Sequence, residues 1–157
     1  MPEQGALKVV AVNRKAFHDY DVLERVEAGL VLTGTEIKSV RAGRANVREA
    51  YARPDRGELW LVNAHIAHYQ QGGIYNHEPT RPRKLLLHRD QLARLIGAAN
   101  QQGLAIVPLR LYIRNHVAKL ELGLARGRRQ YDKRKVIARR DAEREIRRFT
   151  KASQTSR

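Results

Sequence analysis

Asn13-Arg14-Lys15-Ala16-Phe17-His18-Asp19-Tyr20 gathers an amide, two cations and two aromatic rings within eight residues. Side chains of these types suit phosphate contacts from Arg14 and Lys15 and an aromatic platform for base stacking. Asn13 also reads as the N-cap of a short helix, with Phe17 on its buried side. The two readings are compatible. Further along, Glu36-Ile37-Lys38-Ser39-Val40-Arg41-Ala42-Gly43-Arg44 sets Lys38 and Arg41 one turn apart, with Ile37 and Val40 facing inward. Arg44 and Arg48 prolong that positive stripe, and Arg81, Arg83 and Lys84 form a second basic cluster. Taken singly, each cluster is also what a solvated surface looks like.

The largest concentration of charge is in residues 126–157, where thirteen Lys/Arg face four Asp/Glu and supply +9 of the formal net charge of +15. Like charges repel, and the segment has few apolar residues, so it is expected to remain largely disordered by itself. In a helix, Ala138, Ala142, Ile146 and Phe149 make a narrow stripe, while Arg140, Arg144 and Arg148 stack like charges four apart. The balance predicts a helix that is marginal alone and ordered once phosphates neutralise it. Residues 1–125 form the body and 126–157 a basic tail. A polyanion, nucleic acid above all, is the expected partner.

Catalysis is not legible. His65 and His68 stand three apart in an expected strand, which puts them on opposite faces, a poor metal or acid–base pair. No Ser/His/Asp set, phosphate-binding glycine loop or paired carboxylate appears, so a non-enzymatic protein without cofactor or metal is expected. The absence of cysteine excludes disulfides and thiolate sites and fits a reducing cytoplasm. No stretch approaches the roughly 20 apolar residues that span a bilayer, and the first residues lack an export signal.

The elements that must carry these residues are mostly strands. Leu7–Val12, Tyr20–Leu32, Val47–Arg53 and Leu59–Val62 (extending toward Tyr69) read as strands, with a turn at Pro54-Asp55-Arg56-Gly57. Leu104–Arg114 and Val117–Leu124 form a final hairpin with Arg114-Asn115-His116 at its turn. Helices are expected after Asn13, from Thr35 as N-cap to Gly43, and over Asp90–Gln102, where Leu92, Leu95, Ile96 and Ala99 share a face. Residues 70–83 read as a long loop. Six or seven short antiparallel strands with about three helices predict a small closed barrel of the oligonucleotide-binding type.

Four stretches, NRKAFHDY, EAGLVLTGTEIKSVRAGRAN, PTRPRKLLLH and LARGRRQYDKRK, closely resemble the SsrA-binding protein (small protein B) family, in the expected order across residues 8–148. The resemblance implies an oligonucleotide-binding-type barrel with a basic C-terminal tail. It implies binding to the tRNA-like domain of transfer-messenger RNA and delivery to stalled ribosomes for trans-translation, which tags the unfinished peptide for proteolysis. Carried over position by position, it implicates Asn13, Glu27 and Leu86 in RNA binding. Gly127, Tyr131, Asp132, Lys133 and Arg134 match the segment that acts in the small-subunit decoding region and messenger channel. Many members have His where this chain has Tyr131, so stacking is compatible with both and a charged imidazole is not required. A monomer with no membrane partner is expected. The alternative is a general basic nucleic-acid-binding or ribosome-associated protein without specificity for transfer-messenger RNA.

Overall fold

The computed structural model describes residues 7–128 of the 157-residue chain. The chain order is β1 (Lys8–Val12), α1 (Arg14–Asp19), β2 (Tyr20–Leu30), α2 (Gly34–Arg41), β3 (Ala45–Asn46), β4 (Tyr51–Asp55) and β5 (Glu58–Val62). It continues with β6 (His65–Ile66), the 3-10 segment Gln70–Tyr75, β7 (Arg83–Leu86), α3 (Arg89–Gln102), β8 (Ala105–Arg114) and β9 (Val117–Gly127). Antiparallel pairing runs β8–β4–β5–β7–β2–β9, and the β8–β9 pairing returns the ring to its start. The expected barrel is therefore closed. β1 lies beside the far half of β8, pairing Lys8 with Ile113 and Val12 with Arg110, and β3 pairs with β6 in a separate ribbon.

Closure follows from alternation. Leu59, Leu61, Leu111, Leu120 and Leu122 point inward and are almost wholly buried, each worth about 1.5–3 kcal/mol relative to exposure. Val40 of α2 and Leu95 of α3 join the same core. A smaller core of Ala16, Val107, Leu109 and Ala125, with Phe17, Tyr20 and Val22 packed on it, seats α1 against β8 and β9. Gly123 makes this seat possible. A Cβ there would stand 2.9 Å from the Leu109 side chain.

The local differences from expectation have local causes. The cap of α2 is Thr33, not Thr35: its hydroxyl accepts from the Glu36 amide while Glu36 accepts from the Thr33 amide at 2.9 Å. That reciprocal pair is the T-x-x-E capping box, and it outcompetes a lone hydroxyl two residues later. The strand expected over Val47–Arg53 is interrupted, because Asn46 accepts from the Arg48 amide and Ala50 bonds back to Val47, forming a tight turn. The return strand stops at Val62, since Asn63 adopts a φ of 65°. The region expected as loop holds 3-10 turns over Gln70–Tyr75, and Arg83 at its end opens β7. Among the described residues, no helix is long and apolar enough to cross a membrane.

Candidate nucleic-acid interface

The outer face of the barrel can be read row by row from the register. Leu86 on β7 faces Gly29 on β2, Gly29 faces Lys119 on β9, Lys119 faces Tyr112 on β8, and Tyr112 faces Val9 on β1. Gly29 has no side chain, so Leu86 lies over it; a Cβ on Gly29 would stand 3.3 Å from that of Leu86. In the adjacent row Glu27 faces Glu121, which faces Arg110. The result is a shallow concavity bordered by Glu27, Gly29, Leu86, His88, Gln91 and Lys119. Leu86 is half exposed there, an apolar surface within a polar rim.

Glu27 is held firmly in place. Tyr112 donates its hydroxyl hydrogen to Glu27 Oε2, and Arg114 Nη1 donates to the same oxygen at 3.0 Å. Burial, reinforced by the neighbouring Glu27 carboxylate, pushes the Tyr112 phenol well above its ordinary range. Arg114 also lies over the Tyr112 ring, 5.5 Å from its centroid. Glu121 has its own cation, Arg25 at 3.4 Å. Arg25 in turn lies 5.4 Å from the centroid of Phe17, which ties this face to α1.

Helix α1 presents Arg14 and Lys15 outward beside a groove that also takes in Asn46 and Arg48. Lys15 is paired with Glu49 at 3.0 Å. Asn13 behaves differently. It is 2% exposed, its Oδ1 accepts from the Ala16 amide at 3.1 Å, and its Nδ2 donates to the carbonyls of Val47 and Pro108. The cap expected from sequence is present, and the amide also ties α1 to β8 and to the turn after β3. Its side chain is fully engaged inside the protein, where it fixes the start of the helix that carries Arg14 and Lys15.

The second basic cluster dissolves, and Arg83 is withdrawn as an RNA contact. Alternation along β7 sends Arg83 and Leu85 inward and leaves Lys84 and Leu86 outside. Arg83 is 0% exposed and donates to Glu36 Oε2 at 2.6 Å, to Ala64 O at 2.7 Å and to Pro79 O at 3.0 Å. Arg81 also donates to Glu36. Burial alone would push the Glu36 carboxyl up; the hydrogen bonds from Arg81, the Thr33 amide and Arg83 more than reverse this and hold it below its ordinary value. Lys84 stays on the outer face, paired with Glu58 at 2.9 Å.

The α2 cations diverge rather than forming one stripe. Lys38 stands 5.4 Å from the Tyr69 ring centroid, whereas Arg41 donates to His116 O in the β8–β9 turn. Arg44 is exposed just beyond the helix. Gly127 is the last residue of β9, opposite Tyr20, and Arg128 continues the contact by donating its amide to Asp19 O at 2.8 Å. Tyr131, Asp132, Lys133 and Arg134 lie outside the described residues.

The structure thus brings Glu27 and Leu86 together, groups Arg14 and Lys15 on α1, and removes Arg83. Sequence reading missed Tyr112, Arg114, Arg25 and Lys119. The available signal was period two: Arg110, Tyr112 and Arg114 on β8, and Lys119 and Glu121 on β9, repeat on the outward positions of apolar strands.

Comparisons with known proteins find relatives over nearly the whole chain. The family model described as SmpB protein matches residues 10–152. An SsrA-binding protein from Shouchella clausii is 58% identical over 151 residues, covering 96% of this chain and 97% of that protein. One from Carboxydothermus hydrogenoformans is 54% identical over 145 residues, covering 92% and 97%. A chain in the solved structure "tmRNA-SmpB: a journey to the center of the bacterial ribosome" is 50% identical, with a TM-score of 0.63 over 74% of this chain and 82% of that one.

Proposed function

The chain belongs to the SmpB protein family, and on that premise we propose that it is an RNA-binding adaptor of ribosome rescue. It binds the tRNA-like domain of transfer-messenger RNA and delivers that RNA to stalled ribosomes for trans-translation. The observation that carries this reading to particular residues is the meeting of Glu27 with Leu86 in one concavity of the outer face. Neither side chain attracts phosphate, so a surface built only for charge has no use for them. A folded RNA with a definite shape does.

Around that centre, Arg14, Lys15, Lys38, Arg41, Arg44 and Lys84 supply phosphate contacts, and Asn13 fixes the helix from which the first two project. The segment from Gly127 through Tyr131, Asp132, Lys133 and Arg134 acts in the decoding region and messenger channel, where no codon–anticodon helix exists. The protein works as a cytoplasmic, non-enzymatic monomer in this reading.

The test compares full-length protein on the tRNA-like domain, a single-stranded RNA of equal length and a DNA duplex at physiological salt. The tRNA-like domain should bind more than about tenfold tighter than either, since phosphate contacts alone give similar affinities that fall together as salt rises. Indistinguishable curves for the three ligands would leave only a general basic nucleic-acid-binding protein.

A further inference from the structure

Glu27 is a hydrogen-bond acceptor on the outer face of a protein whose net charge is +15. It stands directly opposite Glu121 across β2 and β9, a like-charge pairing that destabilises a sheet unless something offsets it. Here each carboxylate has its own guanidinium, Arg114 for Glu27 and Arg25 for Glu121. Only Glu27 also receives a phenol. Tyr112 is 6% exposed, and its sole polar side-chain atom is directed to Glu27 Oε2. With Tyr112 and Arg114 both on Oε2, that oxygen is satisfied, and among the described residues no hydrogen-bond donor reaches Oε1. Glu27 lines the concavity, and its carboxylate is anchored there through Oε2.

A carboxylate oxygen accepts only, so its partner on RNA must be a donor. Phosphates offer none. In a folded RNA the base-pairing edges are already engaged, and the wide, shallow minor groove displays ribose 2′-hydroxyls. A shallow face with half-exposed Leu86 resting on Gly29 suits such a surface. Arg114, whose side chain is 38% exposed, keeps N–H groups beyond the one on Glu27. Acceptor and donor side by side match a nucleotide, where a 2′-hydroxyl lies next to its 3′-phosphate.

We propose that Glu27 Oε1 accepts from a ribose 2′-hydroxyl of the bound RNA while Arg114 contacts the adjoining phosphate, with Tyr112 as the positioning residue that aims the carboxylate. The inference rests on the RNA-binding reading of this same face and adds its chemistry. It makes the Glu27 site a discriminator of RNA from DNA.

The experiment uses full-length protein and the tRNA-like domain, assembled with single 2′-deoxy substitutions scanned through its helical stems. At one position or a small adjacent group, removal of the hydroxyl should weaken binding by roughly tenfold, the value of a hydrogen bond to a charged group. Glu27→Ala should bind the all-RNA domain more weakly and show no further loss with the deoxy substitution. Tyr112→Phe keeps the ring in the sheet and should shrink the same deoxy penalty to about twofold or less, a coupling that lost stability alone would not produce. Undiminished deoxy penalties in both variants overturn the proposal. So does a penalty that appears with guanine→inosine and not with 2′-deoxy substitution, because the donor is then a base amine. If the wild-type protein does not prefer the tRNA-like domain over single-stranded RNA, the proposed function itself fails. A strong preference without a shared deoxy penalty removes only the ribose contact.

Discussion

Arg83 donates its Nε hydrogen to Glu36 Oε2 at 2.6 Å, joining side chains forty-seven positions apart that are both shielded from solvent. Glu36 is at once the third helical residue of α2, the acid half of its capping box and the counter-ion of Arg81 and Arg83. One carboxylate therefore links the start of α2, the loop before β7 and β7 itself. Removing either partner leaves the other charged and buried, which costs about 3–5 kcal/mol. Arg83→Met should lower the urea midpoint accordingly. Glu36→Gln combined with Arg83→Met should recover part of the loss, as measured by a double-mutant cycle.

The same carboxylate sets an acid limit to stability. Its folded pKa lies below the ordinary value near 4.5, so its contribution is complete above that pH and is lost as pH falls through the folded value. Thermal melts of the wild type and Glu36→Gln should differ most at neutral pH. The difference should start to shrink as pH falls below about 4.5 and continue to shrink toward the folded value. A difference that persists unchanged at pH 3 would assign the effect to packing rather than charge.

Asn13→Ala removes a buried cap and two further donated hydrogen bonds, at 3.1 and 2.9 Å, to Val47 and Pro108. The loss should reach about 2–3 kcal/mol, from a cap of about 1 and buried hydrogen bonds of about 1 each. RNA affinity should fall as α1 loses its seat. Asn13→Asp keeps the cap acceptor but cannot donate to either carbonyl, so it should restore at most a third of the stability. Chemical denaturation and fluorescence anisotropy, both at a temperature where all variants are folded, separate the two effects.

Truncation after Arg128 keeps the whole of β9 and the amide bond from Arg128 to Asp19. The barrel should stay folded, because both apolar cores lie within the described residues. Binding to transfer-messenger RNA should weaken by no more than about tenfold, the share of non-specific phosphate contacts, with a reduced salt slope. Peptide tagging on stalled ribosomes should vanish. Full tagging by the truncated protein would reduce residues 129–157 to a solubilising extension.

Tyr131 is an aromatic residue set among Lys and Arg, a composition suited to stacking on a base, which is worth ~1–3 kcal/mol. Tyr131→Phe and Tyr131→His should retain tagging. Tyr131→Ala should slow accommodation on the stalled ribosome while leaving affinity for free RNA nearly unchanged. If Tyr131→Phe is as damaging as Tyr131→Ala, the hydroxyl matters and stacking is the wrong mechanism.

What the sequence determined by itself was whatever depends on neighbours along the chain. The Asn13 cap, the α3 stripe ending at Gly103 and the hairpin at Asn115-His116 each rest on interactions within a few residues. Propensity and periodicity report these directly. Net charge and its concentration after residue 125 were equally legible, since charge needs no fold to be counted. Four short stretches carried the family resemblance for a related reason: each is a run of neighbouring residues that can be compared without a fold.

Only the tertiary structure decided which polar groups face solvent and which groups meet. Arg83 and Lys84 are adjacent cations with equal propensity, and the period-two alternation of β7 buries one and exposes the other. The waiting carboxylate, Glu36, makes the buried position tolerable. Glu27, Leu86 and Tyr112 lie on three strands joined through β2–β7, β2–β9 and β8–β9 pairing, and no local pattern specifies that register. Register is set by the requirement that every inward leucine fill the same core, because a slip of one residue would turn each strand's apolar face to water. The outer face, with Glu27, Leu86 and Tyr112 in place, is a consequence of how the inner one packs.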